Sequence, residues 1–526
     1  MLARFVAVSL STLLAIAACS GGDSKPGVSG PGGGAGGTGG AAGSGGIDAG
    51  GSDAGAAGQS ADAGCADKSD LSEGAGANAD AIHPTPRYVE IGKLGAPVVT
   101  VCFDSAALAA HATIDAYAPK LFASIGLSPE PSVSCACDWT IRFEATPMAT
   151  PGAVDAAWSA AGQSPERYLL VSSSKGGRAL TSIFAPSERA AMHALFTTVA
   201  LAQGQPLRVA SATLVDHPAL STRAVLEGFY GTPYSSADRA TIIRLAARLK
   251  QTAYVYGPKN DAYARESWAE PYPAAQAQAL KDAAEVASEH LVDFVWSVSP
   301  GLPFAALPPG KSIKYSSDAD FALLTAKIES VRALGVTRFA LFLDDLTGFL
   351  VWPEDVAAFP ALVDAHASLM NRLDDYLKSK DPSSRLVVVG SEYTSFWLTW
   401  DAYNTKLGKL LHPGIDVMWT GPQIYSKSIA AADLAAIDQK LGRKVSLWDN
   451  GPDSIGPLTG RAADLPTAID GIYSNAVVNE FGKYPTSDFF KVQGTLADWA
   501  WNPGSYDPTA SFARWTGLLA SSAALP

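Results

Sequence analysis

From Ser221 onward the chain alternates short apolar runs with amphipathic helical stretches, and no other feature restricts its fold as strongly. Strands are expected over 224–230, 252–258, 292–299, 338–344, 386–392, 416–421, 444–449 and 471–474. Helices are expected between them over 236–250, 274–289, 318–334, 357–379, 428–440 and 486–500. Eight such strands across roughly 280 residues fit a (β/α)8 barrel better than an open sheet. A doubly wound sheet is the runner-up, and it is disfavoured because no glycine-rich dinucleotide loop follows the first strand. Two helices carry start signals: Ser235 or Ser236 before the first, and Ser317 or Asp318 before the third.

The rest of the chain divides by composition. Residues 1–19 hold Arg4, an apolar run and Ile16-Ala-Ala-Cys19, which looks like a bacterial lipoprotein signal with Cys19 as the lipid acceptor. Residues 20–84 are mostly Gly, Ala, Ser and Asp, too poor in apolar surface to fold, and are expected to be a flexible tether. Residues 85–215 mix strand-like and helical segments and are expected to be a small α+β domain; 222–505 would be the barrel and 506–526 a C-terminal segment. These features give an extracytoplasmic location, anchored by lipid to a bacterial membrane, the outer one being preferred. Cys65, Cys102, Cys135 and Cys137 then permit two disulfides, with pairing open.

A net charge of −12 argues against nucleic-acid binding or a basic membrane face, leaving the N-terminal lipid as the one expected membrane contact. The seven histidines are scattered and no paired cysteine-histidine cluster appears, so neither metal nor cofactor is expected.

Active-site groups of a barrel gather at the C-terminal ends of its strands. There the chain places Glu227-Gly228-Phe229-Tyr230, Lys259-Asn260-Asp261, Asp344-Asp345, Glu392-Tyr393, Trp448-Asp449-Asn450 and Ser474-Asn475. Hydrogen-bonding groups mixed with aromatics suit a sugar, whose hydroxyls need oriented partners and whose apolar faces rest on rings. Two adjacent carboxylates at one strand end can titrate apart through burial and mutual repulsion, as glycosidic cleavage requires.

The segments Arg223–Tyr234, Tyr254–Arg265, Trp268–Tyr272, Ser299–Gly301, the Asp pair, Trp419–Pro422, Trp448–Asn450, Ser474-Asn475 and Ala500–Pro503 resemble glycoside hydrolase family 84. That family contains O-GlcNAcases and bacterial enzymes once labelled hyaluronidases. The resemblance covers about 222–505 and implies a retaining exo-β-N-acetylglucosaminidase acting on N-acetylglucosamine-bearing glycans or glycoproteins. In its substrate-assisted mechanism the sugar's 2-acetamido oxygen attacks its own anomeric carbon to give an oxazoline. By that resemblance Asp344 orients the acetamide and Asp345 is general acid, then base. Tyr393 and Asn450 would contact the acetamide and reacting region, and Trp448 would wall the pocket. Gly228, through its carbonyl, with Lys259, Asp453 and Asn475 would bind ring hydroxyls.

Three departures from the family pattern set further expectations. Asn260 stands where the family usually has an aspartate, so Lys259 is expected to be held less firmly. The loop Gly451-Pro452-Asp453 is short, and little chain follows 505, so the helical domain that often follows such barrels is not expected. The competing functions are an endo-acting hyaluronidase-type glycosidase and a catalytically silent carbohydrate-binding lipoprotein.

Overall fold

A computed structural model describes residues 75–130, 137–150, 152–301, 312–451, 456–475 and 486–520. The signal segment with Cys19, most of the tether, Cys65, Cys135 and Asp453 lie outside the described residues. No helix among those described is long and apolar enough to cross a membrane.

The N-terminal sheet runs β1 (Tyr88–Pro97), β2 (Val101–Asp104), β3 (Pro129–Glu130), β4 (Trp139–Phe143), β5 (Tyr168–Lys175), β6 (Arg178–Phe184), β7 (Ala202–Gln203) and β8 (Arg208–Asp216). Its order is β1-β8-β5-β6-β4-β2-β3, antiparallel around β8 and β5 and parallel from β6 to β3. The helices Ala112–Ala123 and Glu188–Ala200 bury Ile114, Phe122, Leu195 and their neighbours in the same core as Trp139 and Ile141 of the sheet. Cys102 is disulfide-bonded to Cys137, which resolves one pairing that spacing leaves open. The bridge spans a sequence separation of 35 and, on the chain-entropy argument, stabilises the domain by about 3–4 kcal/mol. The packed chain also starts earlier than composition indicates. Residues 75–84 fall within the expected tether, yet Ile82 is buried in the core and Gly76 bridges to Lys93, because one apolar side chain anchors the segment.

The second half is a closed parallel barrel: β9 (Thr222–Glu227), β10 (Ala253–Tyr256), β11 (Asp293–Val298), β12 (Arg338–Phe342), β13 (Val387–Val389), β14 (Asp416–Trp419), β15 (Ser446–Asp449) and β16 (Gly471–Ser474). It closes where β16 pairs with β9, Gly471 opposite Thr222. All eight expected strands are present. Parallel strands under helices are buried on both faces, so they read as continuous apolar runs, and successive residues split between two cores. Ala224, Leu226, Val255, Phe342, Val389 and Trp448 fill the barrel; Val225, Tyr254, Leu341, Val388 and Leu447 join the layer beneath the helices. The helix starts are also settled: Ser235 accepts from the Asp238 N–H and Ser317 from the Asp320 N–H. Helix Trp400–Leu410 lies outside the expected set, and Pro508–Ala520 turns the expected C-terminal segment into a helix packed on Thr486–Trp501.

One buried group ties fold to pH. His366, on helix Leu362–Lys380, has no solvent exposure; its Nδ1 lies 2.8 Å from Tyr403 Oη and its Nε2 3.2 Å from Tyr315 Oη. Burial pushes its pKa down from 6.5 to about 3. The unfolded chain therefore binds a proton between those values while the folded chain does not. Its contribution is intact above pH 6.5 and is lost as pH falls towards 3, by up to roughly 4 kcal/mol. His366→Gln is expected to flatten the pH dependence of urea-unfolding stability across that window. An unchanged slope would exclude His366 as its source.

Candidate active site

The segments after the strands are fixed by polar contacts that face away from the barrel mouth. Glu227, wholly buried at the end of β9, accepts from Arg239 Nε at 2.9 Å, Arg239 Nη2 at 3.0 Å, Tyr254 Oη at 2.5 Å and the Tyr234 N–H at 2.9 Å. That holds the turn 228–234. Asp449 is likewise taken by Arg461, at 2.8 and 3.0 Å, and by the Gly451 N–H at 2.8 Å. Alternation along β15 then sends the flanking Trp448 and Asn450 towards the cavity.

A cavity opens at the mouth of the barrel. Gly228, Lys259, Asp344, Asp345, Tyr393, Trp448, Asn450 and Asn475 all line it. Eight of the nine residues expected to catalyse or bind are thus brought together; the ninth, Asp453, is outside the described residues. Phe229, Tyr230, Val389, Thr420, Ile424 and Tyr425 complete the wall, and none of them carries an expected role. Phe229 and Tyr230 nevertheless stand among the strand-end residues, and that position is the available signal.

Asp344 is 4% exposed. Its Oδ2 is paired with Lys259 Nζ, while its Oδ1 is buried and has no hydrogen-bond donor among the described residues. Burial raises its pKa; the Lys259 ammonium opposes the rise and the Asp345 carboxylate adds to it. Lys259 is itself buried and lies 5.2 Å from the Trp448 ring centroid. The expectation of a loosely held Lys259 is corrected here. Asp344 supplies the anchoring charge, and Asn260 has another task, its Oδ1 accepting from the Gly231 N–H at 3.0 Å.

Asp345 is half-buried and has φ +54°, in the left-handed region that non-glycine residues seldom occupy. Tyr393 Oη donates to its Oδ1 at 2.8 Å and Tyr230 Oη to its Oδ2 at 2.9 Å. Burial and the neighbouring aspartates push the Tyr393 phenol well above its ordinary pKa, so it stays a donor. Opposite the acids the amides are interlocked. Asn450 Oδ1 accepts from Trp448 Nε1 at 2.8 Å and from Asn475 Nδ2 at 2.9 Å, and Asn475 Oδ1 accepts from the Gly228 N–H at 3.0 Å. A Cβ on Gly228 would lie 2.7 Å from the Trp448 ring, so that position admits glycine alone. Asn450 Nδ2 donates to the Ile424 carbonyl at 2.6 Å, joining the segments after β14 and β15.

A parallel barrel with adjacent carboxylates, an aromatic wall and fixed amides in one cavity at its mouth has the architecture of a glycoside hydrolase. The model of the beta-N-acetylglucosaminidase family matches residues 223–524, and the chain belongs to that family, glycoside hydrolase family 84. It is similar to Protein O-GlcNAcase of Rattus norvegicus and of Mus musculus, 27% identical to each over 263 residues, 48% of this chain and 27% of theirs. The chain thus spans about a quarter of the length of these curated relatives. Among solved structures, a mutant O-GlcNAc hydrolase from Thermobaculum terrenum is 29% identical with a TM-score of 0.51, covering 57% of this chain and 63% of that one. CpGH84B shares the fold with a TM-score of 0.65 at 24% identity, covering 82% of this chain and 73% of that one.

Proposed function

We propose that this protein is a retaining exo-β-N-acetylglucosaminidase that removes terminal β-linked N-acetylglucosamine from glycans or glycoproteins by substrate-assisted catalysis. One observation carries the reading: the buried Oδ1 of Asp344, without a partner among the described residues, in a cavity it shares with Asp345. A buried acceptor without a donor is costly, and an acetamide N–H is a donor of the right kind to satisfy it. Asp344, fixed by Lys259, then orients the acetamide so that its oxygen attacks the anomeric carbon. Proximity of this intramolecular nucleophile supplies several kcal/mol of the barrier, so no enzyme nucleophile is required. Asp345 gives its proton to the departing oxygen and later takes one from the attacking water. Trp448 walls the sugar, Tyr393 and Asn450 contact the acetamide and reacting region, and Gly228, through its carbonyl, with Lys259 and Asn475 binds ring hydroxyls.

The test is hydrolysis of 4-nitrophenyl N-acetyl-β-glucosaminide followed by proton NMR. The β-anomer should appear first, and the corresponding glucoside, lacking the acetamide, should be cleaved far more slowly. First appearance of the α-anomer, or equal rates on both substrates, overturns the mechanism. Absence of turnover favours the silent binder, and internal cleavage of hyaluronan favours the endo-acting alternative.

We also propose an extracytoplasmic location with lipid on Cys19, supported by the N-terminal pattern and by the Cys102–Cys137 disulfide, a bond typical of oxidising compartments. Labelled palmitate should enter the wild-type protein in a bacterial host and not Cys19→Ala.

A further inference from the structure

Both oxygens of Asp345 are occupied by phenols, and the two phenols differ in kind. Tyr393 is 8% exposed and packs edge-on to Trp397 at 6.2 Å. Tyr230 is 41% exposed and sits at the rim, on the segment that Glu227 and Arg239 hold in place. The Arg265 guanidinium lies 5.8 Å from the Tyr230 ring centroid; it is buried and donates to the Lys259 carbonyl at 3.1 Å. The charged and titratable groups around the Asp345 carboxylate are therefore Asp344 with its Lys259 partner, Arg265, Tyr393 and Tyr230.

A donor to a carboxylate favours the anion, whereas a general acid must carry a proton on the oxygen that meets the leaving group. Each phenol takes one of the two lone pairs of its oxygen, so the proton and the leaving group compete there with a donor already bound. The contact from the exposed ring is the one that can open without disturbing the core. We propose that Tyr230 is a positioning residue for the acid–base step. Its hydroxyl holds the Asp345 carboxyl in place in the empty site and releases Oδ2 when the leaving group of the substrate arrives. This inference rests on the reading of Asp345 as the acid–base group. In the first half-reaction the proton leaves Asp345 Oδ2 for the glycosidic oxygen as the C1–O bond breaks and the acetamide oxygen bonds to C1. In the second, water loses a proton to Oδ2 as its oxygen bonds to C1 and the oxazoline C1–O bond breaks, after which Tyr230 closes again.

Tyr230→Phe keeps the ring and removes the donor. Losing it disfavours the anion, so Asp345 keeps its proton to higher pH. The basic limb of the kcat/KM profile on 4-nitrophenyl N-acetyl-β-glucosaminide should move up by about one pH unit. Tyr393→Phe should move it the same way, and Asp345→Asn should abolish it. Thermal unfolding of Tyr230→Phe should match the wild type, as expected for an exposed ring. A limb that stays in place in Tyr230→Phe, with Asp345→Asn abolishing it, overturns the role of Tyr230 alone. A limb that survives in Asp345→Asn overturns the assignment of Asp345 on which the proposal stands.

Discussion

Asp344→Asn is expected to lower kcat/KM for aryl N-acetyl-β-glucosaminides by about 10²–10³-fold, whatever the leaving group, because in the proposed mechanism the lost charge stabilises the cyclising acetamide and not the departing oxygen. The same change also disturbs folding. Lys259 is buried against Asp344, so removing the carboxylate strands an ammonium and should cost about 3–5 kcal/mol. Stability and chemistry must therefore be separated. Adding Lys259→Met removes the stranded charge, and the double variant should regain most of the lost stability in urea unfolding. It should not regain turnover. Asp345→Asn offers a contrast, since good leaving groups need little protonation and should suffer less in the first step. Turnover of Asp344→Asn within threefold of wild type would remove Asp344 from the mechanism.

The barrel is legible in the sequence because two-sided burial writes its strands as apolar runs such as Val387–Val389 and Asp416–Trp419. Strand ends are less so. Expected strand 386–392 stops at Val389, since the chain leaves the ladder there to bring Tyr393 to the cavity. The N-terminal sheet is legible only in part. Strand β1 contains Gly92, Lys93, Gly95 and Pro97 and looks like a loop, yet it pairs with β8. A Cβ at Gly92 or Gly95 would meet the hydroxyl of Ser211 or Ser174, which would have to turn away. The N-cap of helix Trp400–Leu410 is Thr399, whose side chain makes no capping bond. At the site, the acids and the aromatic wall announce themselves by position after a strand. The bond from Tyr230 to Asp345 spans 115 residues and belongs to no local pattern. Nor can sequence show that Lys259 is anchored by Asp344, since that contact exists only once the barrel closes.

Asp216→Ala is expected to cost at least about 3–5 kcal/mol, the largest loss of stability from a change outside the cavity. Asp216 ends β8, the last strand before the barrel, and has no solvent exposure. It collects donors from both halves of the fold. Lys250 Nζ at 3.0 Å and Tyr168 Oη at 2.7 Å reach Oδ2; Trp501 Nε1 at 2.7 Å and the Arg87 N–H at 3.0 Å reach Oδ1. Lys250 is equally buried, with φ +54°, and its ammonium lies 4.5 Å from the Trp501 ring centroid. Burial drives its pKa down and Asp216 opposes that, so the pair holds its charge only while both members are present. The alanine variant strands Lys250 and leaves the Trp501 indole N–H without its acceptor, two penalties that add. Lys250→Met should cost less, because Asp216 keeps Tyr168, Trp501 and Arg87 as donors and the methionine stem still fills the space. Urea unfolding followed by circular dichroism would rank the two. Equal losses, or a loss below about 1 kcal/mol for Asp216→Ala, would show that packing between sheet and barrel, and not this buried pair, holds the two halves together.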